Sequence, residues 1–283
     1  MEVVRDPVAL RRSVADPERS VGFVPTMGAL HEGHLSLVRM ARADNDVVVV
    51  SIFVNPLQFG PNEDLDAYPR DEESDLALLE EEKVDIVFLP SVETLYPPGA
   101  TTRVQVGPLG DVIEGALRPG HFEGVATVVA KLFHLVQPHR AYFGQKDAQQ
   151  VAVLQKMVRD LDFPVALEVG PTVRAADGLA LSSRNAYLSA AERAAAVALW
   201  RALAAGRDVL RAGGSPEESA KAMADLLAAS EGVEPAYALA VDPATFAPAD
   251  EVPVLLLVSA TVGPARLIDN LLVFPNDPQG VTP

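Results

Sequence analysis

The run VGFVPTMGALHEGHLSLV, Val21 to Val38, changes its hydrophobic period part-way along. Val21 to Val24 is continuously apolar, as in a strand covered on both faces. Pro25 and Thr26 end it, Gly28 and Gly33 permit a tight turn, and a helix opens near Gly33–His34. Working outward, VVVVSIFV (Val47–Val54), VDIVFLP (Val84–Pro90) and RAYFG (Arg140–Gly144) read as further buried strands, and PVALEVGPTV (Pro164–Val173) closes the series. Helical patterns lie between them: HLSLVRMARA from His34, DEESDLALLEEE from Asp71 and GVATVVAKLFHLV from Gly124. Strand–helix alternation predicts an α/β fold, with a Rossmann-like parallel sheet over residues 1–173.

The pattern changes after Val173. Ser189–Glu192 is a capping box opening an alanine-rich helix through Leu210, and Ser215–Glu218 caps another. Three apolar runs follow, AYALAV, VPVLLLV and ARLIDNLLV. A smaller α+β domain over 174–283 is the expectation, ending in a disordered tail, PNDPQGVTP (275–283).

The 283 residues include no cysteine, which excludes disulfides, thiolate metal sites and thiol nucleophiles and fits a reducing cytoplasm. The first residues show no apolar core of a secretory signal, and the apolar runs are too short to span a bilayer. A formal charge of −16 argues against nucleic acid and anionic lipid as partners. An anionic substrate then depends on a few local cations, so each cation beside a glycine turn becomes informative.

His31 and His34 are two of only five histidines. At a helix start they can donate to a phosphate and move protons near neutrality, or they are surface residues of an ordinary turn; no third ligand nearby suggests a metal. Gln58, in IFVNPLQFGPN (Ile52–Asn62), offers an amide to a carboxylate or hydroxyl at the carboxyl edge of the sheet, or is a plain loop residue. Arg118 and His121, in LRPGHFEG, read equally as a mobile cationic flap and as a solvated loop. Lys146, one of five lysines, stands where a strand ends, with Gln150 one helical turn on. Ser182, Ser183 and Arg184 form a polar break suited to a triphosphate. Asp75, on an acidic helix, is the one candidate for magnesium, while His134 and His139 are read as structural.

The order of these motifs resembles the nucleotidyltransferase superfamily, in which an H-x-G-H turn and a later basic serine loop grip ATP. PTMGALHEGH, FVNPLQF, RPGHFEGVATVV, YFGQKDAQQ and LALSSRNAYL are more closely similar to the pantothenate synthetase (pantoate–β-alanine ligase) family, over about Val21 to Leu188. The resemblance implies ATP-dependent activation of pantoate as an adenylate, then attack by β-alanine to give pantothenate, AMP and pyrophosphate. It implies ATP contacts from Met27, Gly28, Ala29, Leu30, His31, Glu32, Gly33 and His34, from Gly144, Gln145, Lys146 and Asp147, and from Val173, Leu181, Ser182, Ser183 and Arg184. His34 is then the proton donor, with His31, Lys146 and Arg184 sharing the chemistry. Gln58 and Gln150 hold pantoate, and the Arg118–His121 loop helps admit β-alanine. Magnesium accompanies the phosphates, and the enzyme is a homodimer. An adenylyltransferase that keeps AMP in its product has no evident use for the paired glutamines, and a non-catalytic nucleotide sensor has none for the histidine pair.

Overall fold

Two valine-rich strands show why the first half of the chain folds as it does. Val21, Phe23, Val47 and Val49 enter one core, with Val125 and Val129, while Val24, Val48 and Val50 enter a second, with Leu37, Val38 and Leu79. Residues of odd and even number on the same strands thus line opposite faces, and each face is covered by helices.

The computed structural model describes residues 1–61 and 63–274; Asn62 and the segment read as a tail, 275–283, lie outside the described residues. The chain divides into two compact units, Met1–Gly144 with Gln149–Gly170, and Gln145–Ala148 with the residues from Pro171 onward. In the first, β1 (Glu2–Val4), α1 (Pro7–Ser13), β2 (Val21–Thr26), α2 (Glu32–Asp44), β3 (Val47–Ile52), α3 (Glu72–Glu81) and β4 (Ile86–Phe88) follow one another. The short α4 (Val92–Leu95) and α5 (Glu114–Leu117) lead to α6 (His121–Val136), β5 (Arg140–Gly144), α7 (Ala148–Asp160) and β6 (Ala166–Gly170).

The sheet is parallel throughout, in the order β1-β4-β3-β2-β5-β6. From β2 the chain passes through α2 to β3 on one flank, whereas β5 pairs on the other, with Phe23 opposite Ala141. The carboxyl ends of β2 and β5 therefore bound a topological switch point, where open α/β sheets take their ligands. The residues after β2 are those of the histidine motif.

The α/β class and the parallel sheet are as expected, but β1 and α1 were not anticipated. Three residues are too few to display a period, and the local signals for α1 are Asp6, whose carboxylate accepts from the amides of Val8 and Ala9, and Pro7 at the first helical position. Observed strands are shorter than the apolar runs, because apolar residues continue past the last ladder bond.

The second unit contains α8 (Ala190–Ala196), α9 (Ala198–Arg211), α10 (Pro216–Ala228) and an antiparallel sheet of β7 (Glu234–Val241), β8 (Val254–Val262) and β9 (Ala265–Val273). Its core joins Leu199, Leu203, Met223 and Leu227 to Val254, Leu256 and Val258. Both serine capping boxes form. The single helix expected from Ser189 to Leu210 is interrupted at Val197, which keeps right-handed helical dihedrals (φ −60°, ψ −17°), so the break is one residue long.

Candidate functional site

The histidine motif forms a helix cap of unusual composition. His31 is the N-cap of α2, and its Nδ1 accepts from the Gly33 amide at 3.1 Å. The Nδ1 of His34 accepts in return from the His31 amide at 3.4 Å, and the rings lie 4.1 Å apart. This is the reciprocal geometry of a capping box, built from two imidazoles in place of serine and glutamate. Because each Nδ1 accepts, each neutral ring carries its proton on Nε2. The cap thus fixes the tautomer of both histidines and makes each Nε2–H a donor.

The loop before the cap is held from a distance. Gly28 has φ +83°, where a Cβ would come within 2.8 Å of Asp75 Oδ2, and Ala29 follows at φ +50°. A non-glycine residue in the left-handed region needs support. Asp75 of α3 supplies it: one carboxylate oxygen accepts from Ala29 N at 2.9 Å and the other from Leu30 N at 2.7 Å. Only 3% exposed, its carboxyl is pushed up by burial, against the two backbone bonds that pull it down. Asp75, expected as the candidate for magnesium, here gives each of its two oxygens to a backbone amide of the loop. Among the described residues no group of three or more His, Cys, Asp or Glu is placed to hold a metal.

Gln58 lies in a turn, Pro56–Gln58, that follows β3. It is 9% exposed; its Oε1 accepts from Asn55 Nδ2 at 3.0 Å and its Nε2 meets the Met27 sulfur at 3.0 Å. A thioether is a weak acceptor, so the amide proton is held beside the histidine loop without a strong partner. Asn55, which the sequence reading passed over, is 1% exposed and takes a bond from Tyr96 Oη at 2.9 Å. Its signal was the Asn-Pro step that stops the strand. The turn sits close against α6: a Cβ on Gly124 would come within 2.2 Å of the Leu57 carbonyl oxygen. Gln150 is half-buried and its side chain makes no hydrogen bond among the described residues, whereas neighbouring Gln149 is committed to Leu109 O and Val112 O.

Arg118 and His121 are not a free cationic flap. Arg118 pairs with Glu63 at 2.8 and 2.5 Å, and its other terminal nitrogen lies 3.0 Å from His121 Nε2. His121 Nδ1 donates to Gln58 O at 2.8 Å, which leaves Nε2 to accept from Arg118. Both side chains therefore pin the Gln58 turn. Desolvation of the ring and the adjacent Arg118 lower the His121 pKa from 6.5 to about 4. The unfolded chain takes up a proton near pH 6.5 and the folded one does not. Its stabilising contribution is thus complete above pH 6.5 and is lost towards pH 4, by at most about 1.4 kcal/mol per pH unit. Urea unfolding at pH 7 and pH 5 should show a smaller loss for His121→Asn, whose amide nitrogen can replace the Nδ1 donor, than for the wild type.

In the second unit, Gln145–Asp147 forms a 3-10 turn after β5, with Lys146 Nζ 3.7 Å from Asp147 Oδ1. The sequence reading placed this turn with the first unit; its contacts group it with the second. Val173 and Leu181 are brought together across a small hairpin, Leu181 N donating to Val173 O at 2.9 Å. Ser182 then caps a short turn, Ser183–Tyr187, its hydroxyl accepting from Arg184 N at 3.3 Å. Two cationic groups and two hydroxyls are thus presented by short turns whose backbones are internally bonded.

The family model for pantoate-beta-alanine ligase matches residues 2–272. The chain belongs to the pantoate–β-alanine ligase family. It is 58% identical over 268 residues to a pantothenate synthetase of Acidobacterium capsulatum, covering 90% of this chain and 86% of that one. It is 56% identical to that of Thermus thermophilus over 262 residues, covering 92% and 95%. A crystal structure of the Thermus thermophilus protein superposes with a TM-score of 0.94 at 55% identity, over 97% of this chain and 100% of that one. The Francisella tularensis pantoate–β-alanine ligase, complexed with β-γ ATP and β-alanine, superposes with a TM-score of 0.79 at 34% identity, over 96% and 97%. As a pantoate–β-alanine ligase, the chain forms an amide bond at the expense of ATP.

Proposed function

We propose that the residues described above divide the ligase reaction as follows. A pantoate carboxylate oxygen attacks the α-phosphorus of ATP, forming the acyl–O–P bond and breaking the bond to the β-phosphate, so pyrophosphate leaves. The β-alanine amine then attacks the acyl carbon, forming the C–N bond; the C–O bond to phosphate breaks, AMP leaves and the amine loses a proton. Gln58 and Gln150 hold pantoate through their amides. The loop from Met27 to His34 receives the nucleotide at the switch point, and His34 Nε2–H donates to phosphate oxygen as charge moves onto pyrophosphate. Lys146 and Arg184 neutralise the same charge, while Gly144 to Asp147, Val173 and Leu181 to Ser183 complete the nucleotide contacts. Magnesium would accompany the triphosphate and offset its charge, ligated mostly by phosphate and water. The family resemblance extends the proposal to a homodimer in the cytoplasm.

The observation that carries this reading is the approach of Gln58 to Met27, 3.0 Å between nitrogen and sulfur, which sets the acid-binding amide beside the loop bearing the paired histidines. An activated carboxylate needs that adjacency. The test is to incubate the protein with ATP, magnesium, pantoate and β-alanine and to resolve the nucleotides. AMP and pantothenate in equal amounts are expected, with no AMP above background when pantoate is omitted. ADP as the product, or AMP release indifferent to pantoate, contradicts the assignment.

A further inference from the structure

β9 carries two buried polar residues in its apolar run Leu267–Val273. Asp269 and Asn270 of β9 are each 3% exposed, and the ligase reading uses neither. Burial of adjacent polar side chains is costly unless each is fully bonded, and here both are. The amide nitrogen of Asn270 donates to two consecutive backbone carbonyls, Gln145 O at 3.0 Å and Lys146 O at 2.8 Å. Its side-chain oxygen accepts from Gln145 Nε2 at 3.3 Å. Asp269 takes both arms of Arg174, at 2.6 and 2.9 Å, and its Oδ1 also accepts from the backbone N–H of Asn270 at 2.8 Å. Arg174 in turn donates to Gly178 O at 3.1 Å and to Asn270 O at 3.2 Å, and its guanidinium lies 4.1 Å from the Trp200 ring centroid. One bonded chain therefore runs from the Lys146 turn, through Asn270 and Asp269, to the hairpin that leads into Ser182–Arg184.

We infer that Asn270 is a positioning residue for Lys146, and that the Arg174–Asp269 pair holds Asn270 and the serine–arginine loop in register with it. The inference rests on the reading that Lys146 acts on the nucleotide. The 3-10 turn of Gln145–Asp147 is only three residues long, between the end of β5 and the start of α7. Two carbonyls held by one side-chain amide define both the height and the rotation of that turn. A carboxylate in the same place turns two attractive contacts into repulsive ones at almost unchanged volume.

Asn270→Asp in the full-length protein should lower kcat of pantoate-dependent pyrophosphate–ATP exchange about 30- to 100-fold, with KM for pantoate unchanged and a cooperative melt retained. The deciding measurement is a double-mutant cycle with Lys146→Ala. If Asn270 acts through Lys146, the same substitution changes the rate no more than about threefold in the Lys146→Ala background. Asn270→Ser, which removes only part of the bonding, carries the same cycle should Asn270→Asp not fold. An equal fold-loss in both backgrounds shows a purely structural residue and overturns the inference alone, as does a folded Asn270→Asp with wild-type kcat. A wild-type rate for Lys146→Ala alone overturns the lysine assignment itself, and the inference with it.

Discussion

His34→Asn should lower pantoate-dependent pyrophosphate–ATP exchange by about 10³-fold while unfolding within about 0.5 kcal/mol of the wild type. The two halves of that expectation come from the two nitrogens of one ring. Nδ1 accepts the His31 amide and completes the cap of α2; Nε2 carries the proton. The side-chain oxygen of asparagine reaches the position of Nδ1 but places nothing at Nε2. The substitution thus spares the cap and removes the donor. His34→Ala removes both, and its stability should fall by about 1 kcal/mol more, the usual worth of a helix cap. Equilibrium urea unfolding beside the exchange assay separates the two contributions. Exchange above one-tenth of wild type in a folded His34→Asn would remove His34 from the chemistry.

Lys146→Met should cost about 10²- to 10³-fold in the same assay, and the loss should fall on kcat more than on KM for ATP. A lysine that merely attracted the triphosphate would strengthen ground state and transition state alike, and its removal would raise KM. One placed to meet charge as it develops between the α- and β-phosphates acts only in the transition state. Methionine retains the length of the stem, so packing is preserved and the charge is the variable. The side chain of Lys146 is 20% exposed and its Nζ lies 3.7 Å from Asp147, which leaves the ammonium only loosely engaged by the protein. A KM effect with kcat intact would make Lys146 a binding residue and remove it from the bond-breaking step.

The parts of this fold legible in the sequence are those written in local periodicity. Runs such as Val47–Val50 are apolar on every residue because helices cover both faces of β3, and that continuity identifies a parallel sheet. Ser189 and Ser215 announce their helices through a partner three residues on. The histidine pair was visible by spacing, though not that the two rings cap each other. What escaped depends on partners distant in the chain. The backbone partners of Asp75, the amides of Ala29 and Leu30, are 46 and 45 residues away. Arg118 looked free because Glu63 is 55 residues away. Asp269 and Asn270 were hidden in an apolar strand whose purpose appears only when the Lys146 turn is folded onto it. In each case the partner of a polar side chain lies far away in the chain, beyond the reach of any local pattern.

On the proposed route the carboxylate of pantoate passes onto the α-phosphate of ATP before any amine reacts. The most direct measurement follows the oxygen: the complete reaction run with pantoate labelled by oxygen-18 in its carboxylate, with the products weighed by mass spectrometry. The adenylate route predicts one labelled oxygen in each AMP and one retained in the amide of pantothenate. Label in inorganic phosphate or pyrophosphate, or AMP without label, would contradict it.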